Sequence, residues 1–410
     1  MKVIIKIIFF NILLPLPMFS QQLDSLLPML EANNPGLEAI RQDYASSQFT
    51  ADQFSDLPDP QVSVGVFPLP VETRLGPQQW KVGITQMFPW NGVLENRAEV
   101  ARRESELKNF ESKIASEDLA LLFKKLYIQA WQLRRQKEVI EERLPLLESR
   151  YDLTLRMAEH GKTSSSDIFQ VQMLINEIEN SIDVVEQQKV QIQNKLNKLL
   201  GRDLGDSISI VGDFSATVED HLIESHTEDD LESVPDFMIF EQQRKVSEAK
   251  IERNKSERYP TLGLGIDYVA IGRRTDADPQ HNGRDVIMPM VSASIPIFNK
   301  NYEAKDNQER AKLVSFDLYE ENKRNEVNEI ISSAKTEVLV QNKNYKFYAQ
   351  QIEVIKRTLR VLEAQYSAEG NKFDELILYE NKIIDYQLKQ VNAIALSQIA
   401  KSEIERWISN

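Results

Sequence analysis

From residue 93 to residue 158 the chain contains no glycine and a single proline, Pro145. A helix of that length would span about 100 Å at 1.5 Å per residue. Leu107, Phe110 and Ile114, then Leu119, Leu122, Leu126, Ala130 and Leu133, step by three and four, the spacing of a coiled-coil or helical-barrel seam. Ile352, Ile355, Leu359, Leu362 and Tyr366 repeat the pattern late in the chain. A globular core has little use for such helices, whereas a tube does. Pro145 should kink the first of them.

The helix follows directly on a strand, in "GITQMFPWNGVLENR" (83–97), and this join occurs twice. Pro35 and Pro60 match Pro235 and Pro260 at an offset of 200; Pro89 and Pro296 lie 207 apart, and Gly161 and Gly370 lie 209 apart. Four landmarks in one order describe a duplicated unit of helix, two strands, long helix, turn and returning helix. The first repeat is expected over 21–205, with strands at about 61–67 and 80–88, a long helix over 93–158, a turn at 161 and a helix over 167–200. An acidic segment covers 206–234. The second repeat takes 235–410, with strands at about 260–269 and 285–296, a long helix over 299–368, a turn at 370 and a helix over 375–408. Shorter helices over 34–56 and 235–258 precede the strands.

The strands alternate. Val62, Val64 and Val66 share one face; so do Trp80, Val82 and Ile84, and Leu262, Leu264, Ile266 and Tyr268. In the last strand Val286, Met288 and Met290 keep the step of two. Trp80, Trp90, Phe67, Phe88, Tyr259, Tyr268 and Phe298 lie near strand ends, where interfacial aromatics belong. The strands have about the 9–11 residues that cross a bilayer at a tilt. Four cannot close a membrane barrel, which starts at about eight, and an open sheet in lipid leaves its edges unsatisfied. If the strands enter a membrane, several chains must share one barrel. The other class open to such a chain is a secreted periplasmic helical scaffold with soluble sheets.

Composition agrees with export. "MKVIIKIIFFNILLPLPMFS" has the lysines, short apolar run and small final residue of a signal peptide, residues 1–20, with a cut expected near Ser20–Gln21. Cysteine is absent and the net charge is −14, which argues against nucleic acid as a partner. The histidines at 160, 221, 226 and 281 lack metal-ligand spacing on one helix face, so no metal is expected. "HGKTSSSD" fails as a phosphate loop: Arg156 stands where the first glycine is needed, and a helix precedes it. It reads as a turn with a Ser or Thr cap. No catalytic constellation and no cofactor motif is present; the chain does not read as an enzyme.

"LPDPQVSVGV", "ITQMFPWNGVLENRAEVARRE" and "VSASIPIFNKNYEAKDNQERAKL" resemble the strand-to-helix junctions of the TolC-like outer-membrane efflux family, and Phe-Pro-Trp-Asn-Gly is most similar to its cation and heavy-metal branch. The resemblance runs across essentially the whole chain after residue 20. It implies a membrane α+β homotrimer: a 12-stranded outer-membrane β-barrel, four strands per chain, continued by a long periplasmic α-helical barrel. It implies residence in the outer membrane, among its lipids, and a passive exit duct joined to a periplasmic adaptor protein and an inner-membrane efflux pump. Loops 68–79 and 270–283 would face the exterior.

The two glycine turns would form the periplasmic tip. Adaptor contact is then expected at His160, Gly161, Lys162, Thr163 and Ser164, and at Gly370, Asn371, Lys372 and Phe373. The family narrows its pore with acidic rings past the second turn. Six and nine residues beyond Gly370 stand Leu376 and Tyr379, so the pattern is not matched in register; a one-residue deletion would align Glu375. Asp374 and Glu375 are the gate candidates, with Glu380 further along the same helix and Asp167, six residues beyond Gly161, in the first repeat. Ordinary solvated helix-face charge is the other reading of each.

Overall fold

The computed structural model describes residues 20–215, 229–369 and 372–408. Its elements are α1 (Ser20–Asn33), α2 (Pro35–Gln48), a 3₁₀ turn (Asp52–Phe54), β1 (Gln61–Val66), β2 (Glu72–Thr73), β3 (Gly76–Phe88), α3 (Val93–Glu141), α4 (Leu144–Glu159), α5 (Ser165–Leu199), α6 (Asp229–Glu232), α7 (Pro235–Ser256), β4 (Thr261–Ile271), β5 (Val286–Ser294), α8 (Lys300–Glu369) and α9 (Phe373–Trp407). They divide into two compact units. One comprises Met1–Glu38, Ala115–Leu231 and Asn325–Asn410; the other comprises Ala39–Ile114 and Glu232–Arg324.

The second unit holds the strands, in the order β1-β3-β4-β5, all antiparallel, with β2 on β3. Cross-strand rows make one face apolar: Val62–Ile84–Ile266–Pro289, then Val64–Val82–Tyr268–Ile287. This face is bare. Val64 is 71% exposed, and Ile84, Ile266, Ile287 and Val291 are exposed with it. Each such side chain gains about 1.5–3 kcal/mol when fully removed from water, so a contiguous face of them marks a surface that meets lipid or a partner.

The opposite face is polar and tightly built. Ser63, Gly83, Asp267 and Met288 form one row across it. Asp267 is only 1% exposed and pairs with Lys81 Nζ at 3.3 Å. The expected step of Val286, Met288 and Met290 falls on this face. On β5 the residues that continue the exposed apolar face are Ile287, Pro289, Val291 and Ala293. Methionine is flexible and polarizable enough to fill a mixed surface, so its presence does not mark the apolar side.

In the same unit α7 packs through polar contacts. Gln242 donates to Arg103 O at 2.8 Å, Ser247 Oγ to Glu309 at 2.9 Å, and Asn254 to Tyr302 O at 2.8 Å. α2 is shorter than the helix expected over 34–56. The Ser46 and Ser47 hydroxyls bond back to Asp43 O and Tyr44 O, Phe49 and Thr50 N–H turn to carbonyls three residues back, and Pro58 and Pro60 forbid resumption.

In the first unit α1 seats Leu26 and Leu30 among Phe123, Leu126, Tyr127, Ala130, Leu196 and Leu200. The helix expected over 93–158 is two helices, broken at 142–143. Pro145 has no N–H to donate to the carbonyl of residue 141 and its ring crowds that carbonyl, so α3 ends and α4 begins anew with proline in its first turn. Of the acidic segment, 216–228 lies outside the described residues. Its first part is held by α3: Trp131 Nε1 donates to Gly212 O at 3.2 Å, and Arg134 to Ile210 O at 3.0 Å. Among the described residues no helix is long and apolar enough to cross a membrane.

Candidate functional site: the helical turns and the strand face

α4 ends in a left-handed turn. Gly161 has φ +66°, its N–H bonds Ala158 O at 2.9 Å, and Lys162 N–H bonds Met157 O at 2.9 Å. These two bonds satisfy the last carbonyls of the helix, and glycine adopts the conformation without strain. Ser164 then caps α5, its Oγ accepting from Ser166 N–H at 3.2 Å. Asp167 is tied into this cap, its carboxylate accepting from Thr163 Oγ1 and from Ser166 Oγ at 3.2 Å. His160, Lys162 and Ser164 are exposed around it.

Gly370 and Asn371 lie outside the described residues. Lys372 has φ +69° and precedes α9, and its Nζ meets Glu375 Oε1 at 2.5 Å. Asp374 and Glu375 are exposed in the first turn of α9, where the helix dipole favours negative charge. Phe373, expected to present itself for docking, is instead buried: its ring lies 5.5 Å from that of Tyr366, within a core of Leu147, Met157, Val171, Leu362 and Leu376. A large apolar residue at a turn is as readily taken up by the neighbouring core as shown to a partner. Phe169 and Met173, one helical turn apart on α5, are apolar and exposed near the first turn.

Behind the turns lies a charge network that takes up Glu380, the further gate candidate, in place of leaving it free at a pore. Arg143, at the α3–α4 break, is 5% exposed and donates to Glu380 O at 2.7 Å and Asn381 Oδ1 at 2.8 Å. Burial pulls its guanidinium below the ordinary arginine range, opposed by the Glu380 charge. Arg150 donates to Glu380 at 2.7 Å and Glu363 at 3.2 Å. Arg143, Arg150, Glu363 and Glu380 line a cavity of about 390 Å³ together with Leu147, Leu359 and Ile384. The network ties α4 to both α8 and α9. Among the described residues no group of three or more His, Cys, Asp or Glu side chains is arranged to hold a metal ion.

No protein-family model and no curated protein matches the sequence. Solved structures match its fold over nearly its whole length. They define a class: the fold is that of outer-membrane channel proteins. CusC, described for its folding and transmembrane channel formation, superposes with a TM-score of 0.77 at 16% identity, covering 95% of this chain and 92% of its own. The outer membrane protein VceC of Vibrio cholerae gives 0.75 at 13% identity, over 96% and 98%. The open state of the Neisseria gonorrhoeae MtrE outer membrane channel gives 0.70 at 14%, over 94% and 88%. The fold implied by the junction sequences is thus the fold found.

Proposed function

We propose that this protein is a passive outer-membrane exit duct, assembled as a homotrimer and joined to a periplasmic adaptor protein and an inner-membrane efflux pump. The observation that carries the proposal is the sheet. Its exposed apolar face needs lipid, and its edge strands β1 and β5 each have one neighbour among the described strands. In a bilayer those edges require further copies to close a ring, since only closed barrels satisfy every strand hydrogen bond there. Likeness to solved outer-membrane channels supports the same reading. Its side chains act by lining, gating and docking, with no bond chemistry.

Washed outer membranes, extracted with detergent and weighed by native mass spectrometry, should yield three copies of the chain. A monomer released by salt without detergent would instead favour a periplasmic scaffold and remove the duct. At the tip, Asp374 and Glu375 are the proposed gate carboxylates and the Gly161 turn the proposed adaptor contact. Exchanging Asp374 and Glu375 for lysine should invert or strongly reduce cation preference in planar-bilayer recordings, because charge at a narrow pore is felt by every passing ion. Unaltered reversal potentials would remove them from the gate.

A further inference from the structure

Beyond the strands, two loops of the sheet unit are stitched together. Gly272 N–H bonds Pro77 O and Gly283 N–H bonds Leu75 O, each at 2.7 Å. Three arginines stand on the backbone around this Gly283 junction. Arg273 lays its side chain over the glycine, where an added Cβ would lie 2.6 Å from its Cγ; Arg284 is the next residue; and Arg74 adjoins Leu75, whose carbonyl Gly283 binds. All three are exposed, and none of their side chains meets a carboxylate among the described residues.

The acidic groups of the loops are mostly engaged elsewhere. Asp276 is held by both arms of Arg274, at 2.9 and 2.7 Å, and Asp278 accepts from Asn282 at 3.2 Å. Asp285 accepts Ile271 N–H at 2.9 Å and the Tyr268 hydroxyl. Glu72 lies near Arg274. Arg74, Arg273 and Arg284 thus remain as available cations; the apolar sheet face ends in the Val66–Trp80 row, and Leu69 and Val71 follow it in the loop that leads to Arg74, all exposed.

Free cations at the end of an apolar membrane face suit one kind of ligand, an amphiphile with an anionic head. We propose that Arg74, Arg273 and Arg284 bind the phosphate groups of a phosphorylated lipid in the leaflet at this end of the strands, with its acyl chains along Val66, Leu69 and Trp80. Arginine offers paired donors that match phosphate oxygens, and the neighbouring apolar surface favours a lipid over free phosphate. This rests on the proposed membrane barrel.

Purified full-length protein in detergent would be titrated with diphosphorylated lipid A, with the same lipid stripped of phosphate, and with inorganic phosphate, and bound mass read by native mass spectrometry. The phosphorylated lipid should bind at least tenfold tighter than the stripped one. Arg74→Gln, Arg273→Gln and Arg284→Gln combined should weaken it on the order of 100-fold, at about fivefold per cation. Equal retention of both lipids by the wild type overturns the site without any variant; so does saturation by inorganic phosphate at the same concentration. A triple variant that keeps its oligomeric mass and its affinity overturns it too. Release of the protein from membranes by salt alone would instead defeat the barrel reading.

Discussion

Replacing Arg150 by glutamate is expected to uncouple α4 from α8 and α9. The guanidinium is 12% exposed and meets two carboxylates, of which Glu380 is the better shielded and Glu363 faces water. Reversal puts a third carboxylate against them beside a partly apolar cavity. Breaking one partner of a buried pair typically costs about 3–5 kcal/mol, because the other charge stays desolvated. Glu363 can turn to solvent and discount its share. Glu380 has less freedom, since its own backbone carbonyl is held by buried Arg143. Thermal unfolding of the first unit should move down by several degrees. If these helices restrain the tip, single-channel conductance should rise as well. Arg150→Glu combined with Glu380→Arg should recover most of the loss. Failure of the swap, with the single variant unchanged, would mean the bridge carries no restraint.

That network was invisible in the sequence for a physical reason. Arg150 and Glu380 are 230 positions apart, and each taken alone is a charge on a helix, indistinguishable from the solvated face around it. Local signals fared better. Strands β1 and β4 were legible because polarity alternates with the pleat, and the Gly161 turn because glycine, serine and aspartate each have a defined place at helix ends. Where two patterns compete, alternation alone misleads. On β5 the methionines suggested one parity, while Ile287, Val291 and the register with β4 set the other. α2 stops early because its serines bond to their own backbone. Pro145 announced a disturbance but not its form: the break allows the buried Arg143 side chain to reach Asn381.

The largest effect on the strand unit is expected from filling Gly83. Its register partner is Asp267, and a Cβ at Gly83 would lie 2.1 Å from Asp267 Oδ1 and 2.8 Å from Ser63 Oγ. Ser63 can rotate away. Asp267 cannot do so freely, because its other oxygen is paired with Lys81 and the side chain is almost wholly enclosed. Gly83→Ala should therefore destabilise the unit by about 1–3 kcal/mol, as overpacking of a dense site does, and Gly83→Val by more. Asp267→Ala should cost little alone, since Lys81 is 38% exposed and keeps its hydration. Lys81→Met should cost more, because it strands a buried carboxylate whose Oδ1 already has no hydrogen-bond partner. The pair is thus asymmetric, and the asymmetry separates crowding from charge. In the Asp267→Ala background, Gly83→Ala should lose most of its penalty, a coupling of at least about 1 kcal/mol between two residues in direct contact. Thermal unfolding of the wild type, Gly83→Ala, Asp267→Ala and the double variant in detergent, followed by circular dichroism, measures it. An additive cycle would mean that Gly83 is needed for its backbone rather than for the space it leaves to Asp267.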